Sequence, residues 1–368
     1  MTGVERVLIA PDSFKGTATA PEVARALAAG WASVRPADEL VLMPMAAGGE
    51  GTLDAFELAA PGARRMPVTV PGPDDRPVRC HWLLLPDRTG VVELACTSGI
   101  TLLDPLRPMT AHTAGFGAAI AAALRHGVTR LYLALGGSSS TDGGMGALAA
   151  LGAVFLDAAG RPVPVGGGGL AVLASVDLSA LPALPSGGAL ILSDVTNPLL
   201  GSAGAAAVFG PQKGADAAQV VALESGLARL AGLLPVDPAT PGAGAAGGTA
   251  FGLLAWGARI AAGSAAVGEA LGVPAAVTGA SVVITGEGRF DAQSAAGKVP
   301  SYLAGSAKDA GARALLVAGA IDAGALAAAP GQFADAVSLT DLAGGSAAAM
   351  TETLRWLEAA GSRLAAAL

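Results

Sequence analysis

Apolar runs alternate with polar, glycine-rich loops along this chain. Arg6 to Ala10 is a continuous apolar run suited to a buried strand. The loop Pro11-Asp12-Ser13-Phe14-Lys15-Gly16-Thr17 follows it. Thr19 stands three residues before Glu22, with Pro21 between them, which predicts a capping box at a helix start. Val23, Leu27, Trp31 and Val34 form the apolar stripe of that helix. A second strand, Leu40 to Met45, leads into Gly48-Gly49-Glu50-Gly51-Thr52 and a helix to about Ala60.

The same grammar returns near the C-terminus. Ser281 to Thr285 is a predicted strand, followed by a loop Gly286-Glu287-Gly288-Arg289-Phe290-Asp291. Leu315 to Ala318 and Ala336 to Leu339 are further predicted strands, each followed by helix-forming sequence. The middle differs. Short strands between Met66 and Val92 are interrupted by Pro71, Pro73, Pro77 and Pro86. Leu131 to Leu135 feeds the loop Gly136 to Gly144, and Ala189 to Leu192 feeds Ser193-Asp194-Val195-Thr196-Asn197-Pro198. The Gly166 to Gly169 run reads as a flexible loop or turn. The pattern predicts an α/β chain: one domain from residues 1–67 and 273–368, with a second α/β domain, 68–272, inserted into it. Parallel strands place their carboxyl ends on one edge, where open α/β sheets bind ligands. The loops at 11–17, 46–52 and 286–298 are therefore expected to converge.

Composition narrows the function. Hydrophobic residues are 52% and charged residues 14%, which excludes disorder. The 53 glycines follow no three-residue period, which excludes collagen. A net charge of −7 argues against nucleic acid or an anionic membrane as partner. Mean hydropathy is +0.56. The charge-free stretches are Gly- and Ala-rich, as in Pro241 to Ala258, or interrupted by Pro, as in Val195 to Gln212, so none reads as a span. Glu5, Pro11 and Asp12 come too early for a signal peptide. Cys80 and Cys96 make no disulfide framework and read as small buried hydrophobes. A soluble cytoplasmic protein is expected, with a homodimer compatible. Lysine is scarce: Lys15, Lys213, Lys298 and Lys308 are all there are, and Asn197 is the one asparagine. Three of these lysines and the asparagine fall in Gly- or Pro-rich loops.

Glycine-rich loops at strand ends let backbone N–H groups approach an anion. Lys or Arg adds charge, and Asp or Glu supplies Mg²⁺ ligands or a base. Phosphoryl transfer needs little else. The cations here are Lys15, Lys213, Lys298 and Arg289; the anions are Asp12, Glu50, Asp142, Asp194, Glu287 and Asp291. Generic motifs are missing. Gly297-Lys298 lacks the upstream Gly and the Ser/Thr of a P-loop, and no dinucleotide fingerprint or Gly-x-Ser-x-Gly elbow occurs. His81, His112 and His126 have no ligand spacing and read as structural or surface histidines. Taken singly, each feature has an ordinary structural reading. Asp12 and Thr19 serve as cap or turn, Gly48 to Gly51 as a helix entry, and Ser138 to Asp142 as a turn with Asp142 as N-cap. Asp194 and Asn197 serve as turn residues, and Lys298 as a surface lysine. Their joint occurrence favours a shared chemical site.

The set as a whole resembles the bacterial glycerate kinase family of the two-domain type 1. The motifs that carry the resemblance are Pro11-Asp12-Ser13-Phe14-Lys15-Gly16, Gly48-Gly49-Glu50-Gly51-Thr52, and Gly136-Gly137-Ser138 with Asp142-Gly143-Gly144. They continue with Asp194-Val195-Thr196-Asn197-Pro198-Leu199, Phe209-Gly210-Pro211-Gln212-Lys213-Gly214, and Thr285-Gly286-Glu287-Gly288-Arg289-Phe290-Asp291 with Gln293 and Gly297-Lys298. The resemblance implies a Rossmann- or flavodoxin-like parallel-sheet domain carrying the inserted α/β domain. It also implies transfer of phosphate from ATP, with Mg²⁺, to D-glycerate, with the 2-hydroxyl favoured. The sequence departs from the family pattern at Ala47, Ala114, Ala118 and Thr141.

On this reading the site lies in the cleft between the domains. The attacking hydroxyl needs a carboxylate base, with Asp194 the first candidate and Asp12 the second. Lys15, Lys213 and Lys298 would neutralise phosphate charge. Glu287 and Asp291 fall near Mg²⁺ or the nucleotide. Ser13, Gly49, Glu50, Gly137, Ser138, Asp142, Asn197 and Arg289 complete the substrate- and phosphate-binding set. Two alternatives stay open: a kinase of another small hydroxy acid, and a non-catalytic ligand-binding protein on the same fold.

Overall fold

The computed structural model describes residues 4–295 and 298–368. Gly297 of the Gly297-Lys298 pair lies outside the described residues, as does the side chain of Gln293. In chain order the strands are β1 (Arg6–Ile9), β2 (Glu39–Leu42), β3 (Arg64–Pro71), β4 (Pro77–Leu84), β5 (Thr89–Glu93), β6 (Arg130–Ala134) and β7 (Val154–Asp157). They continue as β8 (Leu173–Asp177), β9 (Ala189–Leu192), β10 (Arg259–Ala261), β11 (Val282–Phe290), β12 (Arg313–Ile321) and β13 (Asp335–Ser338). The chain divides into two compact units: residues 1–47, 54–59 and 263–368, and residues 48–53 and 60–262.

The first unit is built on a five-stranded sheet in the order β13-β12-β11-β1-β2, with every pairing parallel. Numbered within the unit, this is the flavodoxin-like order, which reverses between β1 and β11. Val7, Leu8 and Ile9 are fully buried, as a strand covered by helices on both faces requires. The helix Ala20–Val34 starts at Thr19 as expected. The Thr19 N–H donates to the Glu22 carboxylate at 2.9 Å, and the Glu22 N–H donates to Thr19 Oγ1 at 3.4 Å. Val23, Leu27 and Trp31 carry its stripe into the core.

One predicted loop is a strand. Residues 286–290 continue β11, and Glu287, Arg289 and Phe290 pair in register with Ala318, Ala320 and Ile321 of β12. The glycines that read as loop signals permit close pairing instead. A Cβ on Gly286 would stand 2.2 Å from the Val317 carbonyl oxygen, and one on Gly319 would stand 2.3 Å from that of Gly288.

The second unit carries a six-stranded sheet in the order β10-β9-β6-β5-β4-β3. β5, β6, β9 and β10 run parallel; β3 and β4 form an antiparallel edge. The prolines bound this edge rather than fragment it: Pro71 and Pro77 are its last paired residues, and Pro67 sits in the edge strand, where a missing N–H is tolerated. β7 and β8 form a separate hairpin. Gly167 to Val172 form a 3₁₀ turn with Gly167 and Gly169 buried, so this run is packed structure rather than a flexible loop. The chain passes between the units at 47/48, 53/54, 59/60 and 262/263, where the sequence pattern places the boundaries at 67/68 and 272/273. β3 pairs with β4 along its length. The helix Gly263–Leu271 packs closely on Tyr302 of the helix Val299–Asp309 within the first unit.

Three consecutive left-handed residues, Ala246 (φ 54), Gly247 (φ 66) and Gly248 (φ 84), interrupt the segment 245–255. The Gly247 carbonyl accepts from the Gly143 N–H at 3.1 Å, and a Cβ on Gly247 would stand 2.1 Å from the Ser140 carbonyl oxygen. This turn therefore clasps the loop after β6. A left-handed conformation costs a non-glycine residue roughly 1–2 kcal/mol. Ala246→Gly is expected to leave the melting temperature unchanged or raise it. Gly247→Ala, strained and obstructed together, is expected to lose more than ~2 kcal/mol in denaturant unfolding. Equal effects from the two substitutions would show that this backbone turn does not hold the loop.

Candidate active site

In the first unit the strand order reverses between β1 and β11, the position at which a doubly wound sheet opens a crevice at its carboxyl edge. The Asp12 N–H donates to the Gly286 carbonyl at 2.8 Å, so the loop after β1 runs along β11. Asp12 Oδ1 accepts from the Ser13 N–H at 2.6 Å. Phe14 is buried and pairs with Ala18, which pins the loop and leaves Lys15 exposed at its tip. Gly288 lies under this tip: a Cβ there would stand 3.4 Å from the Lys15 nitrogen.

Glu287 is only 8% exposed, and its Oε1 has no hydrogen-bond partner. Burial pushes its carboxyl up to about 7. The Ser294 hydroxyl and the Lys298 ammonium pull the other way, while Asp12 and Asp291 add repulsion. Asp291 Oδ1 accepts from the Ser294 N–H at 3.2 Å and from its hydroxyl at 3.3 Å, which starts the short helix Ala292–Ala295. Lys298 is the N-terminal cap residue of the helix Val299–Asp309, and Arg289 is exposed. Asp12, Glu287, Asp291 and Lys298 thus share one electrostatic neighbourhood, with the Lys15 loop against the same strand. Among the described residues no three His, Cys, Asp or Glu side chains converge as a ready metal cage. Mg²⁺ needs less than that, because it commonly takes one or two carboxylates and completes its shell with water and phosphate oxygens. The unpartnered Oε1 of Glu287 and the nearby Asp291 fit such a half-built site.

In the second unit the loop 48–53 docks on three strand ends. The Gly136 N–H, after β6, donates to the Gly48 carbonyl at 2.9 Å. A Cβ on Gly48 would stand 2.3 Å from the Leu192 carbonyl oxygen of β9, and one on Gly136 would stand 2.4 Å from the Gly49 Cα. Glu93, which ends β5 and is 3% exposed, accepts from the Leu53 N–H at 3.1 Å and from the Cys96 thiol at 3.3 Å. Sequence reasoning missed Glu93, although an acidic residue closing an apolar strand is the same signal that singled out Asp194. Glu50 is exposed and Gly49 half-buried beside Gly136. Asp194 is half-buried, two residues beyond β9. Cys80 and Cys96 are only half-buried, more accessible than expected; burial pushes the Cys80 thiol up to about 11.

Two expected ligand contacts turn inward. Asp142 is fully buried and accepts from the Thr113 N–H (2.9 Å), the Thr113 hydroxyl (2.8 Å), and the N–H groups of Gly144 and Gly146 (both 3.2 Å). A carboxylate has about four acceptor positions, so the fold itself engages Asp142. Lys213 is 2% exposed, and its Nζ donates to Ser138 Oγ at 2.8 Å and to the Ser140 carbonyl at 2.5 Å. Burial brings its ammonium down to about 7, partly offset by the charge of Asp142. The ammonium sits under the loop that bears Gly137 and Ser138 instead of facing solvent. Asn197 has a clear structural task as well: Nδ2 donates to the Ala203 carbonyl at 2.8 Å, and its own carbonyl accepts from the Gly244 N–H at 2.9 Å.

A sequence model described as the glycerate kinase family matches residues 7–368. The chain is 41% identical over 313 residues to the glycerate 2-kinase of Escherichia coli (strain K12), covering 82% of each protein. It is 40% identical over 326 residues to the glycerate kinase of Bacillus subtilis (strain 168), covering 86% of this chain and 85% of that one. A crystal structure named "putative glycerate kinase 2" from Salmonella typhimurium LT2 superposes with a TM-score of 0.82 at 35% identity, covering 99% of this chain and 98% of that one. Among the described residues no helix is long and apolar enough to cross a membrane.

The raised carboxyl of Glu287 predicts a pH signature for the ligand-free protein. A group with a raised folded pKa favours the fold below its ordinary value of 4.5 and loses that contribution as pH climbs through about 7. Glu287→Gln removes this dependence. Its unfolding free energy is expected to match wild type near pH 4 and to exceed it above pH 7, by up to ~3 kcal/mol. Chemical denaturation across that range checks this; a constant difference would show that Glu287 ionises as freely in the fold as outside it.

Proposed function

The chain belongs to the glycerate kinase family and is a kinase, and we propose that it transfers the terminal phosphoryl group of ATP to the 2-hydroxyl of D-glycerate in the cytoplasm. The observation that carries this reading is the gathering of Asp12, Glu287, Asp291 and Lys298 where the first sheet reverses its strand order, with the backbone of the Lys15 loop against the same strand. Such a mixed charge set suits a polyphosphate and its divalent cation.

Glycerate offers a carboxylate and two hydroxyls. Asp194 takes the proton of the attacking hydroxyl as general base, with Asp12 the second candidate. The hydroxyl oxygen bonds to the terminal phosphorus as the bond to the bridging oxygen breaks, and ADP leaves with the electron pair. Lys15, Lys298 and Arg289 stabilise the charge on the transferring group. Glu287 and Asp291 would hold Mg²⁺, which supplies charge neutralisation at the phosphate oxygens. Ser13, Gly49, Glu50, Gly137 and Ser138 present backbone and side-chain groups to the substrates.

A coupled assay of ADP release with a panel of small hydroxy acids tests the reading. Turnover is expected with D-glycerate and with 2-phosphoglycerate as product; a clear preference for another acid would move the substrate assignment. Lys15→Ala is expected to lower kcat/KM by ~100-fold or more, and kinetics near wild type would remove Lys15 from the site. Asp194→Asn keeps the shape of the turn but removes the basic oxygen. Its kcat is expected to fall ~100-fold or more while the melting temperature stays within a few degrees. A variant that keeps most of its activity would transfer the base to Asp12 or another group.

A further inference from the structure

We propose that Lys213 and Ser138 act as one unit, in which the buried ammonium commits the Ser138 hydroxyl as a hydrogen-bond donor to an oxyanion of the bound substrates. The inference rests on the reading above that the loop after β6 meets the substrates. It assigns Lys213 as a positioning residue acting through Ser138, in place of direct contact with phosphate.

The argument begins with donors and acceptors. An ammonium has three N–H donors and no acceptor. Ser138 Oγ, 2.8 Å from Nζ, therefore receives a hydrogen bond on that side. Its own proton is left to point elsewhere, and a ligand acceptor is the natural partner. The loop is held too firmly for Ser138 to swing away. Gly99 bridges to Ser138, and the Ile100 N–H donates to the Gly137 carbonyl at 2.8 Å. Both the N–H and the hydroxyl of Ser139 donate to the Ser98 carbonyl, at 3.1 and 2.8 Å. Nζ itself ties down the Ser140 carbonyl.

Packing does not explain the arrangement. A buried ammonium is costly, and an apolar side chain of similar size would serve a core as well. Nearby, Ser140 Oγ and Thr141 Oγ1 are buried without a hydrogen-bond partner. Buried polar groups are normally satisfied, so a cluster left open calls for a partner that the fold does not supply. The ligand that suits a polarised hydroxyl donor one step from an ammonium is an oxyanion. The proposed reaction brings two, the carboxylate of the hydroxy acid and the transferring phosphoryl group.

Steady-state kinetics of Ser138→Ala, Lys213→Met and the double variant, with melting temperatures, test the unit. Each single change is expected to lower kcat/KM roughly ten- to hundredfold, and the double variant to be little worse than either single one. Ser138→Thr, which keeps the hydroxyl, is expected to restore most of the loss relative to Ser138→Ala. Lys213→Gln keeps two N–H donors without charge, is expected to fall between wild type and Lys213→Met, and serves where Lys213→Met does not fold. A rise confined to the KM for glycerate identifies the carboxylate as the oxyanion; a change in kcat or in the KM for ATP identifies the phosphoryl group. Full additivity, or wild-type kinetics in Lys213→Gln beside a damaged Ser138→Ala, would overturn the coupling and leave Ser138 as an independent contact. Wild-type kinetics in Ser138→Ala would overturn the substrate-facing reading of the loop. The kinase reading is judged separately, by ADP release from the unmodified enzyme.

Discussion

The second unit is organised around one buried carboxylate. Asp142 draws four donors into the interior, two from Thr113 and two from the turn that holds Gly144 and Gly146. Thr113, at the start of the helix Ala114–His126, is held by both its N–H and its hydroxyl, and that hydroxyl in turn accepts from the Ala147 N–H at 2.9 Å. The N–H groups of Gly144 and Gly146 set the entry to the helix Met145–Ala150. The charge of Asp142 also favours the protonated form of Lys213 against its burial. A loop whose backbone and counter-charge are both specified from below can present its upper groups in one geometry, which is the preorganisation that transition-state stabilisation requires.

The first unit uses a buried carboxylate in the opposite way. Glu287 is buried with one oxygen unpartnered, and that burial, with a smaller repulsion from two nearby carboxylates, disfavours its ionised form in the ligand-free protein. The contrast separates two tasks. Asp142 is satisfied by the chain and stabilises it. Glu287 is left with one open acceptor in the interior, a cost that the ligand-free fold carries once the carboxyl ionises.

Close backbone approach makes both arrangements reachable. Where Gly286 and Gly319 face neighbouring carbonyls, β11 and β12 stay paired past the point at which side chains would separate them, which carries Glu287 and Arg289 on a rigid strand rather than a loose loop. Where Gly48 meets the ends of β6 and β9, its loop becomes part of the second sheet's carboxyl edge, steadied by Glu93. Groups mounted on strands are positioned more accurately than groups on free loops, and phosphoryl transfer depends on that accuracy.

Local pattern carried much of this in the sequence alone. Apolar runs gave the parallel strands. The Thr19-x-x-Glu22 spacing gave a helix start that the structure reproduces. The order of the glycine-rich motifs gave the family, and these features are legible because each depends on neighbours a few residues away. The extension of β11, the engagement of Asp142, the burial of Lys213 beneath Ser138 and the tether from Glu93 were not legible, and tertiary structure alone decided them. Lys213 lies 75 residues from Ser138, and Glu93 lies 40 from Leu53. Whether a charged side chain meets solvent, a ligand or the interior is fixed by which distant backbone closes over it. A scarce lysine in a loop could therefore be marked from sequence as chemically important, while the direction of its ammonium waited on the packing of the sheet.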